Sequence, residues 1–427
     1  MRIKKKQRRR WTIFSTFAIC MIIYMIYSWN VNIPDSIYLS AGEKNEVNLR
    51  LPFGGRIEAQ CREVMVNDET HISSEKKNIT LNKPFSIYIP DIGNYELSLR
   101  LFGIWNIKNI EVNAVEPEYL LPVGFPVGIY LESDGIFVIG TSKLTDCQGT
   151  ISEPAKDIVK TGDYIIKMND QDIPNKEAFI RMLNENGMQD VKLTIRREKK
   201  EMEVKLHPVN TAPGEYKLGL WVRDDTQGIG TLTYIDKKGR FGALGHGISD
   251  SDTSLLMEAD SGCLYEADIY TIIKGSSGSP GSLSGTICYG RDHRYGEISA
   301  NTVQGIFGTA NEKLKEQVQG EWILAGYKQD VHEGPAQIRS NVDGITKDYE
   351  VEILEVNTSG RNDHKGIVLQ ITDEELLEKT GGIVQGMSGS PIIQDGKLIG
   401  AVTHVFIQDS TKGYGIFLEE MKQMDAK

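Results

Sequence analysis

The chain is short of cysteine, with five in 427 residues. Cys20 falls in an apolar N-terminal run, and Cys61, Cys147, Cys263 and Cys288 are scattered without metal-type spacing. Neither a disulfide framework nor a cysteine metal site organises such a chain, and no metal or cofactor is expected. Positive charge is also scarce beyond the start. The net charge is −11, but residues 1–10 hold seven Lys/Arg and no acid, leaving 41 basic against 59 acidic residues elsewhere, a net of −18. An acidic body argues against nucleic acid, because phosphate binding needs a basic face. Long apolar runs are missing except for residues 11–28, which follow the cationic start. Eighteen residues is at the short end for a spanning helix. Trp11 and Trp29 stand where an aromatic belt would put them, and no small-x-small cleavage pattern follows. The expectation is a transmembrane helix within residues 1–29, N-terminus cytoplasmic and body outside the membrane. A cleaved signal peptide is the rival.

Glycine, by contrast, is abundant at 43 residues, and 40% of the chain is hydrophobic. Together they suit a mainly β protein with many turns, in two or three domains. Residues 33–113 alternate at period two: Val47, Leu49, Leu51 and Phe53 share a face, as do Phe85, Ile87 and Ile89, and Tyr95, Leu97, Leu99 and Leu101. That pattern predicts half-buried strands of a small β-domain, with a role as spacer or docking module.

Residues 384–406 carry the strongest chemical signal. Gly386-Met387-Ser388-Gly389-Ser390-Pro391 precedes two apolar runs joined by Gln394-Asp395-Gly396-Lys397, and Asp-Gly between β-formers predicts a hairpin. Glycines at 386 and 389 allow a turn that brings amides close to a bound atom. Ser388 is then a candidate nucleophile, with the N–H groups of Gly386 and Ser388 aimed at a developing oxyanion. An ordinary Gly/Ser loop is the alternative. His246, flanked by glycines and 142 residues earlier, supplies a candidate base. Ser277, in Gly275-Ser276-Ser277-Gly278-Ser279-Pro280, stands in a similar frame but comes too early, with no Asp-Gly hairpin after it.

The serine motif resembles the Gly-Asp-Ser-Gly-Gly-Pro signature of chymotrypsin-like serine peptidases, with Met387 replacing the acid and Ser390 the second glycine. Residues 119–209 resemble a PDZ domain through Ser152-Glu153-Pro154-Ala155-Lys156 and Lys160-Thr161-Gly162-Asp163-Tyr164, with a helix expected over 175–186. The loop at Gly124, Phe125 and Gly128 is the expected binder of a peptide C-terminus. A structural β-domain without a ligand is the alternative. The order of these parts, with Gly245-His246-Gly247-Ile248-Ser249-Asp250-Ser251-Asp252-Thr253, resembles the stage IV sporulation protein B family of signalling serine peptidases. The resemblance implies a chymotrypsin-like double β-barrel over 213–427 with its site between the barrels. It further implies self-cleavage, and limited cleavage of a membrane-associated regulator of another protease, between the forespore and mother-cell membranes. A non-catalytic PDZ scaffold is the rival reading.

The family's triad acid falls at Asp373. The same stretch reads as a helix start, with Thr372 and Glu375 as a capping box, and Asp363, Asp268 and Asp292 compete for the acid role. In chymotrypsin-like peptidases the strand after the nucleophile lines the primary pocket, which makes His404 a candidate substrate-reading residue. A structural or solvent-facing histidine is the alternative there.

Overall fold

The computed structural model describes Thr16, Cys20, Met21 and residues 33–47, 55–59, 65–66, 77–79, 85–101, 105–358 and 365–425. Among them no helix is long and apolar enough to cross a membrane. The expectation of an N-terminal transmembrane helix is therefore corrected. Apart from Thr16, Cys20 and Met21, residues 1–29 lie outside the described set, as do Leu49, Leu51, Phe53, Cys61 and Asp363.

The period-two pattern of residues 33–115 becomes two small sheets around one core. Ser36–Ser40 runs parallel to Trp105–Val115, which pairs with Gly93–Leu101, and that strand pairs with Gly55–Ala59. Lys44–Val47 and Phe85–Tyr88 pair in the second sheet. Ile37, Leu39, Val47, Phe85, Ile87, Ile89, Leu97, Leu99, Ile110 and Val112 are buried between them, as alternation requires when one face of each sheet is covered.

Two closed barrels form most of the remaining β framework. In the first, Pro126–Thr141 pairs with Leu220–Asp236 and Ala259–Ile273. Arg240–Ala243, Gly305–Ala310 and Arg294–Thr302 complete the circuit. Val127, Ile129, Leu131, Leu232, Phe241, Leu264 and Ile298 fill it. In the second, Gly334–Ser340, Lys347–Val356, Ile367–Ile371, Asp409–Phe417, Lys397–Phe406 and Pro391–Gln394 close in that order. Ile338, Val351, Leu369, Ile392 and Val402 are among its core. Closure leaves no unpaired sheet edge on either barrel. Two such barrels make a chymotrypsin-like fold.

Between residues 132 and 226 the chain leaves the first barrel and returns. Ile136 pairs with Ile165, Val191–Arg197 pairs with Lys200–Leu206, and helix Lys176–Asn186 packs on them through Phe179 and Leu183. The helix is N-capped by Asn175, whose side chain accepts from the Ala178 amide, a common helix start.

The long strand Pro126–Thr141 forces a second correction. The expected peptide-binding loop is part of the first barrel. Val127 is paired on one side with Gly230 and on the other with Glu266, so no edge remains for an added strand. The Gly124 amide donates to the Leu232 carbonyl, Phe125 packs edge-on against Tyr295, and a Cβ at Gly128 would lie 2.5 Å from Ile287. The Gly124 amide and both edges of the strand at Gly128 are thus taken up inside the barrel, and the Phe125 ring packs in its wall.

Candidate active site

Asp395 and Gly396 have φ of 50° and 73°, the left-handed pair that a tight two-residue hairpin needs. This hairpin anchors the loop before it. Met387 is fully buried in the second barrel's core, so the position held by an acid in the chymotrypsin signature is here an apolar plug. With Met387 pointing inward, Ser388 turns toward the surface and is half-buried. Gly386 and Gly389 have φ of 101° and 99°, a region other residues avoid. A Cβ at Gly389 would also lie 2.1 Å from the Thr231 carbonyl oxygen and 2.6 Å from the Leu244 nitrogen. The Ser388 loop thus presses directly on the first barrel.

The Ser388 hydroxyl donates to the Thr403 carbonyl oxygen at 2.6 Å. The Met387 amide donates to Val384 and the Gly389 amide to Val402. Among the described residues, the Gly386 and Ser388 amides meet no hydrogen-bond acceptor.

His246 follows strand Arg240–Ala243 through Leu244 and Gly245, both with φ of 68°. A Cβ at Gly245 would lie 3.0 Å from Thr403 Cγ2, so the turn that carries His246 rests on the strand behind Ser388. His246 Nδ1 lies 2.9 Å from the Gly247 carbonyl oxygen. A carbonyl only accepts, so Nδ1 carries the proton in this contact. The His404 ring lies 5.1 Å from the His246 ring at 36°. His404 itself is exposed, just past a bulge in its strand. The structure therefore brings His246, His404 and the Ser388 loop to one junction between the barrels.

Asp373 belongs elsewhere. It is the N-cap of helix Glu374–Thr380, accepting from the Leu376 amide at 2.9 Å and from the Glu350 amide at 3.4 Å. Its carboxylate is committed to backbone donors, and the expected bond to the imidazole is replaced by a cap; Asp373 rather than Thr372 takes the cap position. Asp268 accepts from Cys288 Sγ, and Asp292 is exposed in a short 3₁₀ turn. Ser277 donates to the Gln408 carbonyl from an exposed loop.

Three residues of the site were not singled out from sequence. Asp250 is buried, paired with Arg223, and accepts from the Asp252 and Thr253 amides. Asn301 accepts from the Ile248 amide and donates to the Ile248 and Met257 carbonyls. Both hold the loop that leaves His246. The third, Thr231, bonds to the nucleophile loop. Only Asp250 has a local signal, since Asp-x-Asp-Thr is Asx-turn chemistry.

No curated protein matches the chain. Among solved structures it is similar to the HtrA-type protease AlgW with a decapeptide, at 12% identity and a TM-score of 0.27, covering 70% of this chain and 62% of that one. It is similar also to the Rv3671c protease from M. tuberculosis in its active form, at 12% identity and a TM-score of 0.26, covering 47% and 74%. This chain thus spans under two thirds of the AlgW structure's length. Residues 214–422, just under half the chain, match the family model described as SpoIVB peptidase S55. The segment that carries His246 and Ser388 is thus similar to the SpoIVB peptidase S55 family of serine peptidases.

Proposed function

We propose that the chain is a serine endopeptidase acting through an acyl-enzyme, with Ser388 as nucleophile and His246 as general base. The carrying observation is the loop at 386–389. It presents the Ser388 hydroxyl beside two amides without acceptors and lies against the segment that leads into His246. In the reaction, Ser388 Oγ leaves the Thr403 carbonyl by rotation about χ1 and attacks the scissile carbonyl carbon. His246 Nε2 takes the hydroxyl proton. The Gly386 and Ser388 N–H groups hold the oxyanion. The imidazolium then protonates the leaving amine, and water hydrolyses the ester by the reverse sequence. Keeping the Nδ1–H tautomer, the usual task of a triad acid, falls to the Gly247 carbonyl.

The substrate class is protein. The family and the resemblance support limited, regulatory cleavage during sporulation, directed at a membrane-associated regulatory protein and at the chain's own N-terminal region. The unit between residues 132 and 226 is read as a PDZ-like insertion that selects substrate, by a surface other than the loop at 124–128. His404 is read as a pocket residue, since it borders the base.

Labelling with a fluorophosphonate probe tests the enzyme reading. Wild type should label, and Ser388→Ala should not. Equal labelling of the two overturns the reading in favour of a non-catalytic scaffold.

A further inference from the structure

We infer that Thr231 is the positioning residue that aligns the nucleophile loop with the base; the inference rests on the Ser388/His246 reading. Thr231 is 2% exposed and belongs to the first barrel, in strand Leu220–Asp236. It makes three bonds to the two halves of the site. Its hydroxyl donates to the Gly386 carbonyl at 2.7 Å. Its amide donates to the Ser388 carbonyl at 2.9 Å. Its own carbonyl accepts from the Leu244 amide at 3.1 Å, two residues before His246. One residue thus spans the junction.

Peptide geometry explains why the hydroxyl matters. In a trans peptide the C=O and the following N–H point in opposite directions. The Leu283 amide holds the Gln385 carbonyl at 2.8 Å, which aims the Gly386 N–H the other way. The Thr231 hydroxyl holds the next carbonyl, Gly386, and so fixes the peptide between the two oxyanion donors. That peptide begins at a glycine with φ of 101°, where rotation meets less steric resistance than at any other residue type. Without the hydroxyl, the angle between the Gly386 and Ser388 N–H groups is no longer pinned. Ground-state binding of a small substrate does not depend on that angle; oxyanion stabilisation does.

The test uses the purified full chain and a small activated ester, with active sites titrated so that rates refer to competent enzyme only. Thr231→Val keeps the shape and removes the hydroxyl. It should slow acylation by roughly 10- to 100-fold, with KM changed by less than about threefold, as expected of an interaction realised in the transition state. Thr231→Ser should recover most of the rate. The inference is overturned if Thr231→Val acylates at the wild-type rate per titrated site, or if Thr231→Ser is as slow as Thr231→Val. Labelling of Ser388→Ala at the wild-type level would instead remove the serine reading itself, whatever the Thr231 variants do.

Discussion

Position 387 shows how one side chain sets the site. A buried methionine points into the second barrel and so turns Ser388 outward. The flanking glycines allow this, and they tolerate nothing else. Gly389→Ala places a Cβ 2.1 Å from the Thr231 carbonyl oxygen at φ of 99°. It should lose probe labelling and cost about 2 kcal/mol or more in urea unfolding. Asp373 admits a cleaner separation of roles. Asparagine caps a helix as well as aspartate does, but in a triad the same change lowers kcat by about 10⁴-fold. The cap seen here predicts that Asp373→Asn, which keeps the acceptor for the Leu376 amide and loses only the 3.4 Å one for Glu350, costs at most about 1 kcal/mol in unfolding and keeps most of its kcat. A fall approaching the triad value would return the acid role to Asp373. For His404, a pocket role predicts that His404→Ala flattens the residue preference in a peptide-library profile without loss of fold. A profile with wild-type rank order would leave it as a neighbour of the base only.

At the scale of elements, the strand Pro126–Thr141 matters most. Its first half pairs on both sides within the first barrel, and its second half, through Ile136 and Phe137, pairs with Tyr164 and Ile165 of the inserted unit. Val138 and Val222 face each other across the exit, so the insertion beyond them can be replaced by a tight turn that keeps Arg223 on Asp250. Such a variant should fold, label at Ser388 and hydrolyse a small ester, but lose selective protein cleavage. Retained selectivity would show that the inserted unit does not choose substrate. A deletion beginning at residue 119 would instead remove a barrel strand and abolish folding. The inserted unit also touches the loop that leaves His246. Tyr164 accepts from the Glu258 amide through its hydroxyl, and Met257 is buried against Phe137 and Tyr164.

Across the whole molecule, the N-terminal sheets meet the short 3₁₀ turn Lys328–Asp330, which in turn bonds to the last helix, Leu418–Asp425. Tyr38 stacks on Tyr327 at 5.3 Å, and the Lys328 amide donates to Glu419 at 3.2 Å. Burial pushes the Tyr327 hydroxyl up to about 12. It also raises the Glu419 carboxyl above 4.5, opposed in part by Lys328. A folded-state value above the unfolded one means that the protonated form favours folding. The stabilisation is full below pH 4.5 and lost as pH rises through the raised value. Glutamine keeps an acceptor for the Lys328 amide and never ionises. Glu419→Gln should therefore melt higher than wild type at pH 7 and lose that margin at pH 4, by scanning calorimetry. A margin that is absent at pH 7, or equal at both values, would rule out the buried carboxylate as its source.

Much of this was legible in the chain because its causes are local. Alternation placed Val47, Phe85, Ile87 and Leu97 inside, Asp395-Gly396 set a hairpin, and Asn175 started a helix, each through neighbours a few residues away. The turns at Gly386, Gly389 and Gly245 could likewise be picked out, because a glycine turn is a local requirement. The rest was decided by pairings that no local pattern encodes. Strand 126–132 reads the same whether its edges are free or filled, and only its partners at 226–231 and 261–266 close the loop at Gly124. Asp373 reads equally as an acid or a cap until the Leu376 and Glu350 amides claim it. Thr231 lies 155 residues from Gly386 and has nothing distinctive around it in sequence. Its role exists only once the barrels close, because a hydrogen bond between distant segments depends on where the fold brings donor and acceptor, and not on the residues beside either one.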